Sequence, residues 1–181
     1  MKVLLKNKLK KIKYIFLDVD GVLTDGKIIV GSNDTEYKNF DVKDGVGIYI
    51  AQNMGINFAI LSGRYSKVIE LRARELKIDI VYQDLKKKID AYEEIKNKFA
   101  IKDEEICFIG DDLIDIPVMK KCGFSVAPKD ACDEIKQIAD YVCKKKGGEG
   151  CVREFIDILL KAKGLWQKSI SWYINRENKN I

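Results

Sequence analysis

The chain has 181 residues, 46% hydrophobic and 34% charged, which suits one well-buried domain and is short for two. Six of its 33 basic residues precede Tyr14, and without them the balance against 28 acidic residues falls from +5 to −1, so no broad electrostatic footprint for nucleic acid remains. No apolar run reaches membrane-spanning length, and the N-terminus carries no secretory h-region.

Taken in chain order, residues 1–12 are a basic lead-in, expected to be solvated. The apolar run Tyr14-Ile-Phe-Leu17 predicts a buried strand emerging as Asp18-Val-Asp-Gly21. Side chains two apart on a strand share a face, so Asp18 and Asp20 fall together at a strand's C-terminal end, where open α/β sheets place ligands. Two close carboxylates repel, and a divalent cation or a shared proton relieves that repulsion. The alternative is a plain strand closed by an Asp-Gly turn.

Residues 26–41 predict a β-hairpin, with Lys27-Ile-Ile-Val30 and Glu36-Tyr-Lys-Asn-Phe40 flanking the turn-rich Gly31-Ser-Asn-Asp34. Residues 46–53 then read as helix and 57–61 as a strand ending in Ser62-Gly63-Arg64. A small hydroxyl beside a glycine N–H suits a phosphate oxygen; a helix N-cap at Ser62 or Ser66 is the alternative. Residues 67–76 read as helix, with Val68, Leu71 and Leu76 on its apolar side. A short strand at 80–82 leads into Gln83-Asp-Leu-Lys-Lys-Lys88. Residues 88–99 read as helix, with Ile89, Tyr92, Ile95 and Phe99 at helical spacing. The strand at 105–109 ends in Gly110-Asp-Asp112, whose acids suit an oxygen-rich cation site or the N-terminus of the next helix.

A helix around 114–121, a strand at 124–126, a helix around 133–139, a last strand at 141–143 and a helix at 152–162 complete the alternation. The pattern predicts an α/β fold with a doubly wound parallel sheet. The aromatic stretch Gly164-Leu-Trp-Gln-Lys-Ser-Ile-Ser-Trp-Tyr-Ile174 is expected to pack on its own domain or on a partner subunit. Residues 175–181 are expected to be disordered. Five cysteines without a Cys-x-x-Cys pair point to reduced thiols in a cytoplasm. The absence of histidine excludes a histidine base, a Ser-His-Asp triad and histidine-ligated zinc.

Asp18-Val-Asp-Gly21 with Thr24, Ser62, Lys88 and Gly110-Asp-Asp112 make the chain resemble the phosphatases of the haloacid dehalogenase superfamily over roughly residues 13–160. Within that superfamily it is most similar to the 3-deoxy-D-manno-octulosonate 8-phosphate phosphatase family. Phe40-Asp-Val-Lys-Asp-Gly45, Ser62-Gly-Arg64, Gly110-Asp-Asp-Leu-Ile-Asp-Ile-Pro-Val-Met119 and Gly147-Gly-Glu-Gly-Cys-Val-Arg-Glu154 carry this closer likeness.

The resemblance implies a single capless Rossmann-like hydrolase domain over 1–181, with the hairpin at 26–41 as a flap and a C-terminal tail and helix over 144–181. It implies Asp18 as nucleophile, Asp20 as general acid and base, and Mg²⁺ held by the Asp18 carboxylate, the Asp20 carbonyl and the Asp111 carboxylate. Ser62 and the Gly63 N–H would bind phosphoryl oxygens and Lys88 would neutralise charge. Asp112 and Asp115 would support these groups or cap the next helix. The family usually has glycine where this chain has Asp84.

The resemblance further implies a small sugar-acid phosphate as substrate, no nucleic-acid or membrane partner, and a role in lipopolysaccharide biosynthesis. A capless site of this family is covered in a homotetramer by neighbouring subunits. Gly147-Gly-Glu-Gly150 matches the family's mobile tail, with Arg153 anchoring it or meeting substrate. Arg64 would meet the sugar carboxylate, Lys67 would assist, and Thr24 would line the substrate side. A related nine-carbon deoxynononate or sialate 9-phosphate phosphatase, which carries Glu after the Ser/Thr-Gly, is the alternative; a non-catalytic tetramerisation module is another.

Overall fold

The computed structural model describes residues 3–177. Six strands form one parallel sheet in the order β5 (Ile80–Tyr82), β4 (Asn57–Leu61), β1 (Tyr14–Leu17), β6 (Ile106–Ile109), β7 (Phe124–Ala127), β8 (Tyr141–Val142). The first-made strand, β1, sits centrally between β4 and β6. The chain winds outward in both directions from it, as the doubly wound expectation requires.

Alternation on β1 divides the core. Ile15 and Leu17 point into one layer with α1 (Val3–Lys11), α2 (Val42–Asn53), α3 (Lys67–Glu75) and α7 (Cys151–Ala162). Phe16 points into the other, against Ala91, Tyr92 and Ile95 of α4 (Lys88–Lys98), Val118 and Met119 of α5 (Ile116–Met119) and Ile135 of α6 (Asp133–Ile138). Every residue of β6 and β7 is buried, which is why β6 reads as a continuous apolar run rather than an alternating one.

The hairpin is present, with β2 (Ile29–Val30) antiparallel to β3 (Glu36–Tyr37). Its ladder is shorter than the expected strands because Gly31 to Thr35 close a tight turn, and Phe40 instead bridges back to Thr24.

Other differences have local causes. Residues 3–11 of the lead-in form α1: Leu9 and Ile12 are fully buried, Leu5 packs behind them, and Lys6, Lys8, Lys10 and Lys11 are exposed. Helix α2 starts at Val42, four residues before expectation, because Asp41 caps it by accepting from Lys43 N at 2.6 Å. Its early Gly45, which conceals the start of the helix in the sequence, and Gly47 are where Arg72 and Arg153 lie against it. On α3 the inward residues are Ile69, Ala73 and Leu76, while Leu71 is exposed; Phe99, at the end of α4, is exposed too. The aromatic stretch forms α8 (Trp166–Glu177) and packs on its own domain, with Trp172 against Tyr49 of α2. Residues 175–177, expected to be disordered, are therefore helical, and 178–181 lie outside the described residues.

Candidate active site

The parallel register sets Leu17 beside both Ile60 and Ile109, so the chain leaves β1, β4 and β6 at one level of the sheet. Asp18, Ser62 and Gly110-Asp111 are the first residues past those ends. Asp18 is anchored by its N–H to Ile109 O at 3.0 Å.

Lys88 projects from the first turn of α4 into the same space. Its Nζ lies 2.7 Å from Asp18 Oδ1 and 2.7 Å from Asp115 Oδ1, with the lysine and Asp115 both buried. Burial opposes the charged ammonium, but the Asp18 and Asp115 carboxylates outweigh it and hold the Lys88 pKa above its ordinary value. Asp115 is bound on both sides, because its Oδ2 accepts from Asp111 N at 3.0 Å and Asp112 N at 3.5 Å. It braces Lys88 and the 110–115 turn, as its capping expectation described. Asp112 is exposed and caps the same turn through Leu113 N at 2.7 Å.

Asp111 differs from Asp115. Its Oδ1 is buried without a hydrogen-bond partner, and burial, followed by the Asp18 charge, lifts its pKa to about 8. Asp18, Asp111 and Asp115 offer carboxylate oxygens all within 4.8 Å of one another. Since Asp115 is already engaged on both oxygens, the carboxylates of Asp18 and Asp111 are those a cation would join. An orphaned buried oxygen beside a second carboxylate fits a hard divalent ion with oxygen ligands.

The loop carrying Asp20 is knitted by Thr24. Its hydroxyl lies 3.3 Å from Val19 O and 3.5 Å from Asp20 Oδ1, and it accepts from Gly21 N at 3.4 Å and Gly26 N at 3.2 Å. Thr24 is fully buried, so it is an internal brace and not the substrate-lining residue expected. Gly21 has φ +89°, and a Cβ there would lie 2.0 Å from Asp111 Oδ2; only glycine lets the two loops approach this closely.

Ser62 is buried, and its hydroxyl donates to Arg64 O at 2.9 Å while accepting from Arg64 N at 3.2 Å. Ser66, not Ser62, caps α3. Arg64 is half exposed at the rim, its guanidinium 3.6 Å from Glu36 Oε1 and 4.0 Å from Asp20 Oδ2. Asp84 takes the left-handed backbone, φ +56°, that explains a glycine at this position in the family; Asp tolerates it better than most residues.

Two further expected residues sit in the first turns of α3 and α7. Lys67 is exposed at the start of α3. Arg153 sits on α7, its Nε bound to Asp157 Oδ1 at 2.8 Å and its N–H to Asp44 Oδ1 at 2.7 Å. The segment Gly147-Gly-Glu-Gly150 is likewise no free tail here. Gly148 N donates to Val22 O at 3.0 Å and Gly147 N to Asp130 Oδ1 at 3.0 Å. A Cβ at Gly147 would lie 1.8 Å from Gly21 O, so the segment is pressed on the Asp20 loop of its own chain.

Lys38 was not foreseen. Its side chain is fully buried, with Nζ 2.5 Å from Asp20 Oδ1 and 3.2 Å from Glu36 Oε1. Its signal is the alternation of Glu36, Lys38 and Phe40 on one side of the second hairpin strand, which turns a charged pair inward. A cavity of about 570 Å³ lies at the opposite strand ends, among Tyr14, Asn57 and Ile80, far from these groups along the sheet.

A family model for haloacid dehalogenase-like hydrolases matches residues 77–156. The 3-deoxy-D-manno-octulosonate 8-phosphate phosphatase of Escherichia coli K12 is 46% identical over 157 residues, covering 87% of this chain and 84% of that protein. The crystal structure of the like-named phosphatase from Moraxella catarrhalis, in complex with magnesium ion, phosphate ion and KDO, superposes with a TM-score of 0.92 at 35% identity, over 96% of this chain and 99% of that one. The Yersinia pestis enzyme gives 0.88 at 40% identity, over 90% and 88%.

Proposed function

We propose, on the premise that the chain belongs to the haloacid dehalogenase-like hydrolases and among them to the 3-deoxy-D-manno-octulosonate 8-phosphate phosphatase family, that it releases phosphate from that eight-carbon sugar acid. It is a phosphoric monoester hydrolase with Mg²⁺ as cofactor. The observation that carries the reading is the convergence of Asp18, Asp111 and Lys88 around one space with an unpartnered Asp111 oxygen.

In this mechanism a carboxylate oxygen of Asp18 attacks the phosphorus in line with the sugar oxygen. Asp20 gives a proton to the departing sugar oxygen and then takes one from the water that cleaves the aspartyl-phosphate. Ser62 and the Gly63 N–H bind the transferring oxygens. Lys88 holds the Asp18 carboxylate and balances charge as the phosphoryl group passes. The Asp18 and Asp111 carboxylates and the Asp20 carbonyl would hold Mg²⁺, which would supply charge neutralisation for the phosphoryl group. Asp115 keeps Lys88 aimed. Arg64 pairs with the sugar carboxylate.

The same reading places the protein in the cytoplasm as a homotetramer serving lipopolysaccharide synthesis. Free thiols at all five cysteines support a reducing compartment. Exposed Ile28, Ile29, Val30 and Tyr37 on the hairpin supply an apolar face for sister subunits, which would cover the rim.

The test is phosphate release from the octulosonate 8-phosphate in Mg²⁺, abolished by EDTA and by Asp18→Asn. Faster turnover of a nine-carbon 9-phosphate would move the substrate to the deoxynononate class, and no turnover of any phosphate ester would overturn the reading.

A further inference from the structure

The hairpin does more than flank the site: it inserts a cation beside the carboxylate that serves as acid and base. The two oxygens of Asp20 are treated differently. Oδ1 lies 2.5 Å from Lys38 Nζ and 3.5 Å from Thr24 Oγ1. Oδ2 lies 4.0 Å from Arg64 Nε. Lys38 is itself held, because its side chain is fully buried and Glu36 Oε1 lies 3.2 Å from Nζ. Glu36 is steadied in turn by Arg64 at 3.6 Å. A long, rotamer-rich lysine loses much conformational entropy when buried, so this arrangement is maintained by its ion pairs.

We infer that Lys38 is a positioning residue for leaving-group protonation: it clamps Oδ1 of Asp20 so that Oδ2 faces the departing sugar oxygen. The inference rests on the phosphatase reading above. As the phosphorus–oxygen bond to the sugar breaks, its electron pair stays on the sugar oxygen. The proton on Oδ2 passes to that oxygen, and Asp20 keeps the electron pair of its broken O–H bond as a full carboxylate. A cation 2.5 Å from that group interacts more strongly with the carboxylate formed than with the acid it came from. Its contribution is therefore larger in the transition state than in the ground state. Thr24 holds the loop while Lys38 orients the reactive side chain. The hairpin thereby acts on the reaction through its own subunit's Asp20.

The test compares two leaving groups in Lys38→Met, which keeps the aliphatic stem and removes the charge. Octulosonate 8-phosphate releases an alkoxide that needs the proton; 4-nitrophenyl phosphate releases a stabilised phenolate that does not. The expected result is a kcat loss of roughly 100-fold on the sugar phosphate, the scale of a general acid's contribution, with a much smaller loss on the nitrophenyl ester. Lys38→Arg, which keeps the charge, recovers most of the sugar-phosphate rate. Turnover of the nitrophenyl ester also reports that the variant is folded and its nucleophile intact. Equal losses on both substrates, a change confined to KM, or no loss overturns the inference. Wild-type protein that hydrolyses neither ester overturns the phosphatase reading itself, and the inference with it.

Discussion

Gly21 and Asp111 come from different loops, yet a Cβ on the first would stand 2.0 Å from a carboxylate oxygen of the second. The pair joins the end of β1 to the end of β6 and sets how near the Asp18 and Asp111 carboxylates can be. Gly21→Ala must therefore move the Asp111 side chain or the loop. Added to a left-handed φ, this is expected to cost about 1–3 kcal/mol and to weaken Mg²⁺ binding. Thermal unfolding with and without Mg²⁺, beside calorimetric titration of the ion, checks it; unchanged Mg²⁺ affinity would refute the coupling.

Lys88 is the only cation within salt-bridge distance of Asp18 and of Asp115 among the described residues. Lys88→Met leaves two buried carboxylates facing each other without compensation. The expected destabilisation is about 3–5 kcal/mol, the cost of removing one partner from a buried pair, together with loss of turnover. Urea unfolding at neutral pH without Mg²⁺ measures the first; a loss under 1 kcal/mol would contradict the buried-pair argument.

Asp44 reports pH through stability. It is buried on α2, its Oδ1 accepts from Arg153 N at the start of α7, and its Oδ2 has no partner. Burial lifts its pKa to about 6 from 3.8. A carboxyl whose folded pKa is raised stabilises the fold while protonated and loses that contribution as pH rises through the interval. The stability difference between wild type and Asp44→Asn is therefore expected to fall between about pH 4 and pH 7 and then level off. Chemical denaturation of both proteins across that range gives the slope; a difference independent of pH would refute the shift.

Assembly is open to a charge placed on the hairpin. Val30 is 73% exposed at the arm's tip. If the arms associate, Val30→Glu shifts light scattering from the mass of four 20.7 kDa chains toward smaller species, with little change in the melting of the domain itself. A wild type that scatters as a monomer would remove the tetramer from the proposed function.

The ends of β1, β4 and β6 were legible because each couples an apolar run to polar residues at its boundary, a purely local pattern. Helix α4 was legible through Tyr92 and Ile95. What escaped depends on contacts between distant segments. Leu71, Ile69 and Ala73 all suit an apolar helix face, and only the placement of α3 on the sheet decides that Leu71 is outside. Gly45, just ahead of the expected helix, does not read as helical until Arg72 is seen lying against it. Lys38 resembles any surface lysine until the hairpin folds back and buries it against Asp20. The resemblance has Arg153 anchoring the glycine segment or meeting substrate, and the sequence alone does not show that Asp157 and Asp44 hold it on α7.

The contact between Gly148 and Val22 bears on when the enzyme comes into being. The Asp18–Gly21 motif is synthesised well before the segment 147–150 on which its loop rests. A nascent chain short of residue 148 can pair its central strands, because β1, β4 and β6 precede that point, yet lacks the floor on which the Asp20 loop lies. Long-range closures of this kind come late. A ribosome-bound or truncated fragment that stops before this segment would thus have the central strands and the nucleophile but not a finished catalytic loop, and hydrolytic competence would appear only once residues 147–150 have emerged and docked.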